Sequence, residues 1–460
     1  MKSRLFTLLF LAGLQPLVAQ FCFQPRVAYP VGTNPSSLCH ADFNGDSITD
    51  LAVANRAGTV SVLLGKGAGV FDTSTYFQVG YLPYSITAAD FNNDSLTDLA
   101  TANLGPWDVS VIFGNGAGGF STDTSAFGVS SPKAMVTADF NRDGNADLAV
   151  THYGLVEVAL GNGAGGFAAP LSVAVGSPVS ALTTADFNGD TIPDLAAVGA
   201  SSVAILLGNG LGGFGGVNSF AIDTSPLSII SVDLNHDSKA DLVTCNMNNN
   251  ITGNISVLLG TGSFATVTNY SINSSVVPRA LCSADFDGDG NVDLALAVVR
   301  GNTVPFVSLI PGDGLGGFGA PTLLDVDSFP NSIISTDFNK DGKPDLAVVS
   351  VYSNINTGFV DVLLNCSTTT AIPDAGFNNS DLLVYPNPTN GKFRVNYSDN
   401  SGHYVQSIAV YNLLGETVNG MNETRSASYT DIDLSQVSRG IYFVKVQLAD
   451  KTYTQKICKE

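Results

Sequence analysis

A nine-residue string recurs seven times in this chain, and no other feature constrains the fold as strongly. It reads DFNGDSITD from Asp42, DFNNDSLTD from Asp90, DFNRDGNAD from Asp139 and DFNGDTIPD from Asp186. It continues as DLNHDSKAD from Asp233, DFDGDGNVD from Asp285 and DFNKDGKPD from Asp337. Successive copies start 47 to 52 residues apart.

The surroundings of each string are also constant. A short β-type segment such as Tyr84–Ala89 precedes it, and an apolar run such as Leu51–Val53 follows. Then come a variable loop, a run such as Val109–Phe113, a Gly-rich turn with a Phe, and one more β-type segment. Each repeat therefore predicts four short strands punctuated by turn residues, with no sustained helical period. Four strands in about 50 residues make one propeller blade. The expected fold is all-β: a seven-bladed β-propeller followed by a small β-sandwich.

The chain ends predict how the ring closes. The last repeat stops after three strands, near Leu364, while Gln24–Val31 has the spacing of an outer strand leading into the first repeat. That N-terminal segment is expected to complete the seventh blade and to leave only short, protected sheet edges. Cys366 aligns with Lys66 and Cys22 with Val70, which flank one hairpin turn. A Cys22–Cys366 disulfide across the closure follows. Cys39 and Cys282 occupy matching places in inner strands and read as small core residues.

Oxygen side chains stand at positions 1, 3, 5 and 9 of every string. They are Asp42, Asn44, Asp46 and Asp50; Asp90, Asn92, Asp94 and Asp98; Asp139, Asn141, Asp143 and Asp147; and Asp186, Asn188, Asp190 and Asp194. The remaining sets are Asp233, Asn235, Asp237 and Asp241; Asp285, Asp287, Asp289 and Asp293; and Asp337, Asn339, Asp341 and Asp345. Alternate spacing in a tight loop aims such side chains at one centre, and hard oxygen donors in that number suit Ca²⁺ better than Mg²⁺. Position 7 varies freely, as expected where only a backbone carbonyl is offered. The bland alternative is a set of Asx-turns, against which stands the invariance of Asp at positions 1, 5 and 9. Up to seven structural calcium ions are expected. The sixth loop, with the extra carboxylate Asp287 and a Gly at position 6, is expected to bind tightest, and the fifth among the weakest.

The loops hold 22 of the 40 acidic residues, so the formal net charge of -20 is local to them. An acidic chain without a basic stripe argues against a nucleic-acid partner. Lys2 and Arg4, the apolar Leu5–Leu14 and Leu17-Val18-Ala19 read as an export signal over residues 1–19. No later segment approaches the roughly 20 apolar residues of a transmembrane helix. The recurring GxGxxG at Gly114, Gly161, Gly208 and Gly312 is not followed by a helix and reads as a hairpin turn rather than a dinucleotide site.

The repeats resemble the FG-GAP/VCBS family, the repeats of the integrin α-subunit propeller, over about residues 21–366. The resemblance implies calcium at positions 1, 3, 5 and 9, with Asn at position 3 in six copies as the departure. After a polar linker (367–380), residues 381–460 carry Val384–Gly391, Val410–Gly415 and Gly440–Val446. This tail resembles the C-terminal sorting domain of the type IX secretion system. It implies engagement of that machinery, passage through the outer membrane, and release or attachment at the cell surface.

Strand order separates two faces. Calcium loops and Gly turns share one; the loops between strands two and three and between blades share the other. The second face varies: it carries Leu104–Trp107, His152-Tyr153, Asn246–Asn254, Arg300 and Tyr352. Variable loops on a rigid scaffold are where binding usually sits, so Trp107 and Tyr153 are the candidate ligand contacts. The expected function is a binding or adhesion module for an extracellular glycan or protein, not an enzyme. A polysaccharide lyase and a passive scaffold are the alternatives. The lyase needs a clustered acid–base pair outside the loops, and in the sequence Glu157 and His152 look isolated.

Overall fold

The computed structural model describes residues 21–367 apart from 123, 177, 250–251, 261–263, 265–266, 273–275, 301–303, 327–328 and 352–356. Beyond these it describes 382–385, 389, 391–397, 407–412, 417–418, 422–425, 429–447 and 452–459. The export signal, Tyr352 and residues 368–380 of the linker lie outside the described residues, as does the side chain of Arg300. The chain divides into two compact units, residues 1–370 and 371–460.

The first unit is a seven-bladed propeller, and no helix occurs among the described residues. Blade one is an antiparallel meander of Pro35–Ala41, Asp50–Asn55, Thr59–Leu63 and Thr75–Gln78. Its second strand, DLAVAN, is buried at every position. Both of its faces are covered by neighbouring blades, which is why it reads as an apolar run rather than an alternation. The outermost strand is mostly exposed.

The first strands of the blades stand side by side around the axis. They are Pro35–Ala41, Pro83–Ala89, Met135–Ala138, Val179–Ala185, Pro226–Val232, Val276–Ala284 and Phe329–Thr336. Each touches the next, and the seventh touches the first, so the ring is closed.

Closure uses the N-terminus. Val27–Thr33 pairs antiparallel with Thr357–Leu363 as the fourth strand of blade seven. The strand begins three residues later than the expected Gln24 because upstream pairing is sparser: a Phe23–Asn365 bridge and a Gln24 N–H bond to the Leu364 carbonyl. Cys22 and Cys366 are disulfide-bonded with Cα atoms 4.9 Å apart. The Cys366 N–H donates to the Cys22 carbonyl at 2.8 Å, as Lys66 does to Val70 in blade one. Ser367 belongs to this closure rather than to a linker: it is buried and accepts the Cys22 N–H at 3.0 Å. Cys39 and Cys282 pack against the inter-blade core, and burial pushes the Cys39 thiol up to about 12.

The blades are keyed together by aromatic rings. Position 2 of each string is buried, and it meets an aromatic ring of the following blade: Phe43 with Phe120, Phe91 with Phe167, Phe140 with Phe214, Phe187 with Phe264. At the closure Phe286 meets Phe23, and Phe338 meets Phe71. In the fifth string Leu234 replaces the ring, and Phe318 packs in the same cluster.

In the C-terminal unit, seven strands form a four-stranded and a three-stranded sheet. Phe393, Val395, Val410, Ile432, Val444 and Ile457 are among its buried core. Arg394 stacks on Tyr429 and forks onto Asp431.

Candidate metal loops and the opposite face

Each nine-residue string forms the connection between strands one and two of its blade, and all seven share one hydrogen-bond pattern. Positions 4 and 6 both have left-handed backbone. At position 6 these are Ser47, Ser95, Gly144, Thr191, Ser238, Gly290 and Gly342, and at position 4 Gly45, Asn93, Arg142, Gly189, His236, Gly288 and Lys340. Each position holds glycine in three copies, and position 4 otherwise carries Asn, Arg, His or Lys, so the sequence alone does not mark it as a second turn. This double turn brings the alternate side chains to one side of the loop.

The carboxylates are held by backbone amides. The position-1 Oδ2 accepts the position-6 N–H at 2.7 to 2.9 Å in every loop. The position-5 Oδ1 accepts the position-7 N–H at 2.7 to 3.0 Å.

Position 9 does something the sequence does not announce. Asp50, Asp98, Asp147, Asp194, Asp241, Asp293 and Asp345 are completely buried. One oxygen accepts the position-2 N–H at 2.8 to 2.9 Å. The other accepts, at 2.6 to 2.8 Å, the amide that opens the hairpin between strands three and four. Each thus brackets the loop to the Gly turn beside it. Burial, helped by the loop's other carboxylates, pushes Asp50, Asp147 and Asp345 up to about 6 and Asp293 up to about 7.

The loops differ at position 3. In loops one to four the Asn Nδ2 donates to the position-5 Oδ2 at 2.9 to 3.0 Å. An amide nitrogen is therefore aimed at the carboxylate, and a metal would need that amide to turn over. Loop six has Asp287 at position 3, and the side-chain amide at Asp289 Oδ2 comes instead from Asn291 at position 7, whose Nδ2 donates at 3.1 Å. Asp285, Asp287 and Asp289 each bring a carboxylate oxygen within 4.8 Å of the others, the one such acidic cluster among the described residues. Asp287 is buried, and burial with its two like-charged neighbours pushes it up to about 6. Three converging carboxylates without a cationic side chain fit a hard divalent cation, which takes 6–8 oxygens.

The opposite face carries the turns between strands two and three and the connections between blades. Trp107 and Tyr153 occupy matching turns of blades two and three. Both have left-handed backbone, with φ of 63° and 41°, and both are largely exposed at 57% and 63%. Bulky residues rarely adopt this conformation; here it presents the rings to solvent.

One expectation is corrected on this face. His152 and Glu157 are not isolated: His152 Nε2 lies 2.9 Å from Glu157 Oε1 across a tight hairpin. Their separation of five residues hides a pairing that only the turn creates. Ser172 donates to the same carboxylate oxygen at 3.2 Å, and His152 Nδ1 is buried with no hydrogen-bond partner among the described residues. The serine bonds the carboxylate rather than the imidazole, which is not the arrangement that activates a nucleophile.

Comparison with known proteins agrees with this architecture. The FG-GAP-like repeat model matches six times, over residues 42–101, 90–150, 139–197, 186–244, 233–296 and 285–348. Each match spans from one nine-residue loop past the start of the next, and seven loops bound six such intervals. The secretion system C-terminal sorting domain matches residues 383–460. No curated protein matches the chain. Among solved structures, two chains from BBS1N–ARL6DN complexes, soaked with mercury and with lead, are 12% and 11% identical with TM-scores of 0.53 and 0.52. Both matches cover 75% of this chain, and 98% and 97% of theirs. A lectin from Agrocybe aegerita that recognises non-reducing terminal N-acetylglucosamine is 20% identical, with a TM-score of 0.46 over 64% of this chain and 81% of its own. At such identities the likeness is one of fold alone. The tail marks export by type IX secretion to the cell surface or extracellular space. The chain belongs to the FG-GAP-like repeat family, as a seven-bladed propeller that ends in a secretion system sorting domain.

Proposed function

We propose that this secreted propeller is a calcium-stabilised binding module, and that it holds a glycan, or failing that a protein, on the face opposite its loops. The supporting observation is the pair Trp107 and Tyr153, two bulky aromatics held with left-handed backbone and exposed rings on that face. Aromatic rings offer large contact area at low entropic cost, with a polar handle for the ligand. Calcium is structural in this reading: loop six binds first, and loops one to four bind after their Asn amides turn over. Adhesion at the cell surface is the corresponding role.

The test is binding of the secreted chain to an array of extracellular glycans, repeated with Trp107→Ala and Tyr153→Ala. Binding that these substitutions abolish while melting is unchanged supports the module. Array binding indifferent to both, or no glycan or protein bound at all, leaves a passive scaffold instead. The second reading is a polysaccharide-acting enzyme, for which His152 and Glu157 are the one acid–base pair brought together on this face among the described residues; cleavage assays separate it from the first.

A further inference from the structure

The mouth of the ring on the face opposite the loops contains a cavity of about 560 Å³. Arg56, Asn34, Tyr81 and Asn331 are among its lining residues, drawn from blades one and seven and their connections. This volume is typical of small-molecule sites.

Arg56 is fixed before any ligand arrives. Its N–H donates to the Asn34 carbonyl at 3.1 Å, and its carbonyl accepts the Leu82 N–H at 3.2 Å. Its guanidinium lies over the Tyr84 ring, 4.2 Å from the centroid. Yet its buried Nε has no hydrogen-bond partner, and no carboxylate among the described residues pairs with the group.

A second guanidinium stands at the place in blade six equivalent to Tyr84 and Asn331. Arg279 sits at a bulge of the first strand of blade six, where the register shifts between Pro278 and Ala280. Matching bulges hold Tyr84 in blade two and Asn331 in blade seven. Bulges re-aim a side chain out of the ladder. Arg279 is exposed, and partial desolvation, then the charge of Arg56, lower its pKa. Arginine does not relieve such repulsion by losing its proton. The acids of this chain lie mainly in the loops of the other face; on the far face Asp108 and Asp223 are held by Asn103 and Asn254, Glu157 by His152, and Asp325 is exposed at the end of the outer strand of blade six.

We propose that this mouth is a binding site for an anionic saccharide, with Arg56 and Arg279 receiving its carboxylate or sulfate and Tyr81 packing on a sugar ring. Guanidinium groups match both anions through paired N–H donors. Tyr81 is largely exposed at the cavity rim, which favours a sugar ring over an acidic peptide. The proposal rests on reading this face as the binding face, and it adds the charge of the ligand.

The experiment is isothermal titration of the calcium-loaded secreted chain with trigalacturonate and with a chondroitin sulfate disaccharide; methyl-esterified trigalacturonate serves as the neutral control. Binding of at least one anion is expected, weakened severalfold between 50 and 300 mM salt, since such contacts are screened. Arg56→Gln and Arg279→Gln should each lower affinity roughly tenfold or more, with the melting temperature unchanged, and Arg56→Lys should fall between. Preference for the uronate or for the sulfated sugar identifies the source of the anion. Equal binding of the methyl ester, wild-type affinity in both Gln variants, or binding of an acidic peptide but neither sugar overturns the proposal. Neutral-glycan binding that depends on Trp107 would overturn this proposal alone and leave the broader binding function standing.

Discussion

The Asp50 carboxylate accepts the Gly65 N–H at 2.7 Å, and a Cβ on Gly65 would lie 2.4 Å from the Thr49 carbonyl oxygen. The two facts are linked: the bond holds the hairpin so close to the loop that at Gly65 no side chain fits without a shift. Gly114, Gly161, Gly208, Gly260 and Gly312 meet the same obstruction at 2.1 to 2.4 Å. Blade seven has Asn365 instead, whose side chain also donates to the Phe286 and Pro344 carbonyls. Gly65→Ala should cost about 2 kcal/mol through this overlap, and Asp50→Ala about 3 kcal/mol by leaving two buried amides unpaired. Urea unfolding of both variants and the double mutant checks this; less-than-additive losses are expected because they break one bracket. Gly216→Ala, with nothing within 4 Å, is the control and should be nearly neutral.

Loop six should dominate the response to calcium. At about 100-fold excess over Kd, one independent site adds about 2.7 kcal/mol to stability. Melting of the chelated protein should therefore rise on calcium addition. Asp287→Asn should remove the tightest class of sites in calorimetry, whereas Asn44→Asp should strengthen loop one. A melting temperature indifferent to a chelator would remove the metal from the account.

The buried position-9 carboxylates set a pH dependence. Their pKa values, about 6 for Asp50, Asp147 and Asp345 and about 7 for Asp293, lie above the ordinary carboxylate range near 4. Between these values the folded chain holds more protons than the unfolded one, so stability falls as pH rises. The metal-free protein should melt highest near pH 4 to 5 and lose stability through pH 7. Calcium binding demands the ionised forms and should run the other way, its stabilisation fading from pH 7 to pH 5. Melting curves with calcium and with chelator across this range should converge at the acid end.

Much of this was legible in the sequence, for physical reasons that differ by level. Seven strings at six similar intervals of 47 to 52 residues require seven equivalent units, and the partial last repeat with Gln24–Val31 at the other end requires closure. The disulfide was legible because Cys366 and Cys22 align with Lys66 and Val70, which flank one hairpin turn. The role of Asp50 did not follow: its partner is Gly65, and nothing in a linear string distinguishes an acceptor of two amides from a metal ligand. Invariance at positions 1, 5 and 9 is consequently over-determined, since each carboxylate has a backbone duty. Position 3, where Asn92 bonds Asp94 and Asp287 bonds no amide side chain, discriminates the loops better. The far-face contacts of Arg56 and His152 were invisible because turns and neighbouring blades create them.

Ring closure predicts a cost for losing the staple. The disulfide spans 344 residues of sequence, so it constrains the unfolded chain strongly. Cys22→Ser with Cys366→Ser should lower stability by about 2 to 5 kcal/mol. The Arg26–Asp361 pair at 2.8 Å and the remaining strand contacts should keep the ring folded at low temperature. Thermal melts with and without reductant should reproduce the difference in the wild-type protein and show none in the double variant.

The His152–Glu157 contact distinguishes binding from cleavage. A lyase needs a base that reaches a sugar C–H and an acid for the leaving oxygen. Here Glu157 Oε1 is shared by His152 and Ser172, and the free imidazole nitrogen of His152 points into buried space. Incubation of the secreted chain with plant and algal polyuronates should therefore release no unsaturated sugar, and His152→Ala should leave glycan affinity near the wild-type value. His152→Ala should instead cost about 1 to 3 kcal/mol of stability by leaving Glu157 short of a partner. Unsaturated product that disappears with His152→Ala while melting is unchanged would reverse the assignment, because a group engaged only in holding a hairpin cannot lose turnover without losing stability.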